Sequence, residues 1–187
     1  MSQTSKQTWI AAGYRAFAQE GPAGLKIEVL AQAVFRRKSS FYHHFGNLEH
    51  FTECLLRQHL ERAKIIAQRE KNLPQVIPDL IELLLEVKED LFFSRQLRIH
   101  RHIPAFQACF QKADAELEAA FLHIWAEAIG LDGRPAVSRA LLDLAMENFY
   151  LQITEESLTY DWLLHFIQNI RSLVSALVPL ESSKTAN

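Results

Sequence analysis

Glycine and proline are scarce in this chain, six of each among 187 residues, and most fall in a few clusters. Between the clusters run long stretches rich in Ala, Leu, Glu, Gln and Arg, residues that lose little on entering a helix. Short strands would need more frequent turns, so this punctuation predicts an all-α fold. Gly21-Pro22-Ala23-Gly24 closes a first helix expected over about 5–19, in which Ile10, Tyr14 and Phe17 share a face widened by Ala11 and Ala18. Further helices are expected near 48–71, 76–93, 95–102, 105–129, 135–156 and 159–178, with stops at Asn72-Leu73-Pro74, Pro104, Gly130 to Pro135 and Pro179. Residues Ser182 to Asn187 read as a frayed tail. With 49% apolar residues, 12 of them Phe and 3 Trp, the chain has enough apolar area for a substantial core.

Several function classes find no residues to rest on. No apolar region of the secretory kind follows Met-Ser-Gln-Thr-Ser-Lys, and no run approaches the roughly 18 apolar residues of a membrane span. Two cysteines, Cys54 and Cys109, form no metal-type pair and fit a reducing cytoplasm. His100 and His102 lie on divergent helix faces, His43 and His44 are adjacent, and no Glu-x-x-His or His-Glu-x-x-His spacing occurs, so no metal is expected. Neither a phosphate-binding glycine loop nor a Gly-x-Ser-x-Gly elbow is present, so no catalytic residues and no cofactor are assigned.

The charge is unevenly placed. Residues 1–46 carry six basic and two acidic side chains, a net +4, whereas the rest carries 14 basic and 20 acidic, a net −6. A basic head on an acidic body suggests that the head alone meets a polyanion. Within the head, Ile27, Leu30, Ala31 and Val34 mark a second, short helix. Phe41 and Phe45 give the inward face of a third, running from about Arg37 to Phe45. Gly46 suits the residue just past that helix, and Asn47 can cap the next one. Two short helices across a tight turn, packed on a third, make a helix-turn-helix unit. Facing out are Arg37, Lys38, Ser39, Ser40, His43 and His44, with Tyr42 at the flank. Arg36 and Lys26 join them as candidate DNA contacts. Cations at the start of a helix oppose its dipole, a local cost that makes sense beside a polyanion.

The run Val29-Leu30-Ala31-Gln32-Ala33, followed by Lys38-Ser39-Ser40-Phe41-Tyr42-His43-His44-Phe45-Gly46-Asn47-Leu48-Glu49, resembles the TetR-like (tetracycline-repressor-like) regulator family over roughly residues 5–60. The third helix ends in that family's Tyr-x-His-Phe pattern, here Tyr42-His43-His44-Phe45. The resemblance implies a homodimeric bacterial-type repressor of about nine helices, with Tyr42 on a phosphate and Lys38, Ser39, Ser40 and His43 in or beside the major groove. Three positions depart from the pattern: Phe35 stands where the turn often has glycine, Leu48 where a lysine often opens the fourth helix, and Lys26 where a threonine often caps the second. A differently wound turn, or an early third helix, is therefore expected around Phe35.

These readings give two domains, a DNA-binding head over 1–46 and a helical regulatory and dimerisation domain over 47–187. In the second, Phe92, Phe93, Arg98, His102, Phe106, Phe110, Phe121 and Trp125 combine aromatic walls with polar anchors, the mixture that lines small-molecule sites. The effector they suggest is apolar or aromatic. The 135–156 helix is apolar on two faces, one of Val137, Leu141, Leu144 and Ala145, the other of Leu142, Met146, Phe149 and Ile153. The last helix adds Leu163, Phe166, Ile167, Ile170, Val174 and Leu177. Leu141, Leu144, Ala145, Phe166, Ile167, Ile170 and Val174 are the expected homodimer contacts, in a four-helix interface. The function expected is a repressor on a palindromic duplex operator, released by a small molecule. The alternative is a helical protein-interaction module that has kept its helix-turn-helix head.

Overall fold

The computed structural model describes the backbone of residues 2–177 and the side chains of residues 5–176; the expected stop at Pro179, the tail from Ser182 and the side chain of Leu177 lie outside them. Among the described residues there are nine α-helices and no strand. They are α1 (Ser2–Glu20), α2 (Ile27–Ala33), α3 (Lys38–Phe45), α4 (Leu48–Glu70), α5 (Ile81–Glu86), α6 (Lys88–Ile99), α7 (Pro104–Ala128), α8 (Pro135–Gln152) and α9 (Tyr160–Leu177). None is long and apolar enough to cross a membrane.

The described residues form two compact units, those up to 70 with 87–120, and 71–86 with those from 121 on. Packing thus divides the chain elsewhere than at 46/47, because α1 is held by α4 and α6 as well as by α2. In the first unit an aromatic cluster joins α1, α3 and α4. Phe41 lies 5.4 Å from Trp9, 5.2 Å from Phe45 and 5.0 Å from Phe51, ring centre to ring centre. Gly13 lets α4 approach, since a Cβ there would stand 2.3 Å from the Phe51 ring. Ala18 is buried as the helical period predicts, whereas Ala11 is exposed and Trp9 takes the buried place.

Expected and observed boundaries differ most near residue 90. A break was expected at Ser94, but the chain breaks at Val87 and α6 runs on through Ser94. The reason is a buried polar network. Tyr14 of α1 donates its hydroxyl to Asp90 Oδ1 at 2.7 Å and lies 2.6 Å from His59 Nδ1. Arg62 forks onto Asp90, one arm at 2.6 Å, and Ser94 Oγ is 3.1 Å from His59 Nε2. With the tyrosine hydrogen committed to Asp90, His59 Nδ1 donates to Tyr14 and Nε2 accepts from Ser94. Burial pulls the His59 pKa down to about 4, which keeps the ring neutral, and raises that of Tyr14. Phe93 stacks on Tyr14 and His59 at 4.3 and 4.5 Å.

The second unit buries Leu142, Phe149 and Ile153 from α8 and its following turn, with Leu163, Ile167 and Val174 of α9. Phe149 meets Trp162 and Phe166 at 5.9 and 5.7 Å, and Arg171 Nε donates to the Ala128 carbonyl at 2.8 Å. The opposite face of α8 stays open: Val137, Leu144 and Leu151 are exposed, Leu144 by 68% and Leu151 by 78%.

Candidate nucleic-acid interface

The outward side of the helix-turn-helix is set by how α2 ends. Its last carbonyls are closed by Phe35 N–H on Gln32 O (3.1 Å) and Arg36 N–H on Ala31 O (2.9 Å). This double closure needs a left-handed residue between the helix and the next segment. Phe35 supplies it at φ 54°. The same pair of bonds ends α7, from Gly130 to Glu127 and Leu131 to Ala126, with Gly130 at φ 73°. The turn around Phe35 is therefore wound as a glycine turn would be, and α3 starts at Lys38 rather than early. A bulky side chain in this region costs about 1 kcal/mol that glycine avoids. The residue is 94% exposed.

From that turn the chain enters α3 with Phe41 and Phe45 inward, and Gly46 closes it at φ 72°. Asn47 then caps α4, its Oδ1 accepting the His50 N–H at 2.8 Å. Phe35, Arg36, Arg37, Ser39, Ser40 and His43 line one open concavity. Tyr42 is half exposed at its flank, edge-on to Phe41. The remaining candidates point elsewhere. Lys38 is exposed but holds Glu28 of α2 at 2.7 Å, which raises its pKa and lowers that of Glu28. His44 turns to Ser5 of α1, 3.3 Å away, and Lys26 is exposed just before α2 without capping it. Sequence reasoning did not name Phe35 as a contact or Glu28 as the partner of Lys38; the mismatch with glycine was the one signal available.

The expected ligand lining is distributed over both units. Phe92, Phe93, Arg98, His102, Phe106 and Phe110 belong to the first, Phe121 and Trp125 to the second. Phe93 and Phe106 pack on Phe17 at 4.3 and 5.3 Å, as part of the core under α1. Phe92 is also buried. Arg98 is buried, lies 4.1 Å over the Phe110 ring and pairs with Asp114 at 2.5 Å, while His102 is exposed. Phe121 and Trp125 are buried with rings 5.9 Å apart. Of the expected dimer contacts, Leu141, Ala145, Phe166 and Ile170 are half-buried and Leu144 is exposed, but Ile167 and Val174 face their own core and have almost no surface to offer. Leu151 and Leu173, not named from the sequence, are exposed in their place.

No protein-family model matches the sequence, and no curated protein does. Among solved structures, a protein from Mesorhizobium loti, described as a provisional TetR-family transcriptional regulator, superposes with a TM-score of 0.60. The match covers 94% of this chain and 97% of that one at 16% identity. The chain has the fold of a TetR-family regulator. No group of three or more His, Cys, Asp or Glu side chains among the described residues is placed to hold a metal ion.

Proposed function

We propose that this chain is a DNA-binding transcriptional regulator, a cytoplasmic homodimer that represses from a palindromic duplex operator and leaves it when a small apolar or aromatic effector binds. The observation that carries the reading is the concavity where two exposed arginines, Arg36 and Arg37, stand beside Ser39, Ser40 and His43 on a helix-turn-helix. Guanidinium groups suit phosphates and guanine edges, and hydroxyls suit phosphate oxygens. Helix α3 begins without a side-chain cap, which leaves its first N–H groups for a phosphate oxygen. The fold shared with the Mesorhizobium loti protein supports the same reading, and no enzymatic step belongs to it.

Dimerisation is supported by the open stripe on α8, where Val137, Leu141, Leu144 and Leu151 follow the three- and four-residue spacing of a helix–helix seam. Phe166, Ile170 and Leu173 make a similar stripe on α9. A two-fold dimer reads successive major grooves when its heads stand about 34–36 Å apart. An effector that favours another spacing by about 1.4 kcal/mol weakens operator binding tenfold. For the effector site, Trp125 contributes an indole N–H that is buried without an acceptor among the described residues, beside Phe121. The test is binding of the full chain to a random-sequence duplex library as salt is varied. Selection of a palindrome with a steep salt dependence is expected; no retention of any duplex at low salt overturns the reading.

A further inference from the structure

We infer that Phe35 is a specificity-determining residue of the DNA surface, placing its ring against the 5-methyl group of a thymine in the major groove. The inference rests on the DNA-binding reading above and adds to it a named base contact.

Phe35 combines two features that nothing among the described residues offsets. Its backbone occupies the left-handed region, and the residue is 94% exposed. The turn does not require the ring, because the same closure at the end of α7 is made with Gly130. What the ring contributes therefore lies outside the chain. Its surroundings say what kind of partner that is. It shares one concavity with Arg36, Arg37, Ser39, Ser40 and His43, all basic or hydroxyl-bearing. A protein partner matching such a surface would be acidic and would leave the ring without an apolar counterpart. A DNA duplex offers both complements: phosphates for the arginines, and on the major-groove wall one apolar group, the thymine methyl. The flat faces of the bases are closed to the ring while they stay stacked.

The experiment uses the full-length chain and the duplex it selects from a random library, remade with uracil for thymine at one position at a time. Uracil removes the methyl alone. One position in each half-site is expected to weaken wild-type binding by about fourfold, the value of one buried methyl, and about sixteenfold when both are changed. Phe35→Gly suits the backbone and keeps the fold, checked by a melting temperature no lower than wild type. It is expected to bind the thymine duplex more weakly and to be indifferent to uracil at that position. A flat uracil scan, or equal uracil sensitivity in Phe35→Gly, overturns the inference while leaving DNA binding intact. Unstacking at a base step in the wild-type complex that Phe35→Gly abolishes, seen as permanganate reactivity, also overturns it, in favour of a wedge. Failure of the wild-type chain to select any duplex removes the DNA reading itself.

Discussion

Helix α3 buries Phe41 and Phe45 and turns Ser39, Tyr42 and His43 outward behind Arg36 and Arg37, whereas α8 buries Leu142 and Phe149 and turns Val137, Leu144 and Leu151 outward. Both helices are anchored by aromatic or aliphatic residues on one side. The difference lies in what the open side lacks. The α3 face has cations that no described acid neutralises in its concavity, so water or a polyanion satisfies it. The α8 face exposes leucines that water satisfies badly and that another apolar surface would cover. One exposed face predicts an association weakened by salt, the other an association that salt leaves standing.

The largest effect tests the α8 side. Leu144→Glu with Leu151→Glu removes two side chains worth about 2 kcal/mol each when buried and adds two charges. Sedimentation is expected to show the dimer dissociation constant raised at least about a thousandfold, leaving a 21.5 kDa monomer; an unchanged dimer breaks the comparison. On the α3 side, Arg36→Ala with Arg37→Ala removes four cations from a dimer. The slope of log affinity against log salt should become shallower by about 3 to 4, with dimerisation untouched.

Acid distinguishes the units by what they bury. His59 belongs to the first unit, and its pKa falls from 6.5 unfolded to about 4 folded. Between those values the unfolded chain holds a proton that the folded chain lacks, so stability falls as pH drops, by up to about 3 kcal/mol. Glu70, also in that unit, is pushed up to about 8 by burial. Its contribution is lost as pH rises from the ordinary carboxylate value through 8. Between about 4.5 and 6.5 the two contributions oppose each other, so the wild type should be nearly flat there in denaturant titrations; His59→Gln should unmask a fall in stability with rising pH, and Glu70→Gln a fall with acid. A smaller effect concerns Lys38. Glu28→Gln frees the lysine and should tighten DNA binding by about two- to fivefold, the modest scale of an exposed pair. The smallest is the stability of Phe35→Gly. Relief of about 1 kcal/mol of backbone strain slightly exceeds the added freedom of the unfolded chain, so the unfolding free energy should rise by up to about 0.5 kcal/mol.

Local chemistry made much of this legible in the sequence. Gly46 and Asn47 mark a helix end and the next start because each satisfies backbone groups within a few residues, and the outward set on α3 follows from Phe41 and Phe45 alone. Periodicity was less informative for α9. It finds Ile167 and Val174 as readily as Phe166 and Ile170, but the helix's rotation about its axis is set by Phe149 and other partners distant in sequence. Nothing local shows that the helix continues through Ser94, because its partner His59 is 35 residues away. The Tyr14 contacts to His59 and Asp90 span 45 and 76 residues, beyond any local pattern.

That network also limits the routes by which the sequence can change. Tyr14, His59, Asp90 and Ser94 each satisfy a neighbour that has no water to turn to. Replacing one alone strands a buried group at about 1–3 kcal/mol, although an apolar set of equal volume that replaces Arg62 as well, introduced all at once, can be neutral. Two workable interiors are thus separated by single-substitution intermediates less stable than either. These positions, with Arg62, behave as one inherited unit, and a substitution at α1 is tolerated or rejected according to residues on α4 and α6.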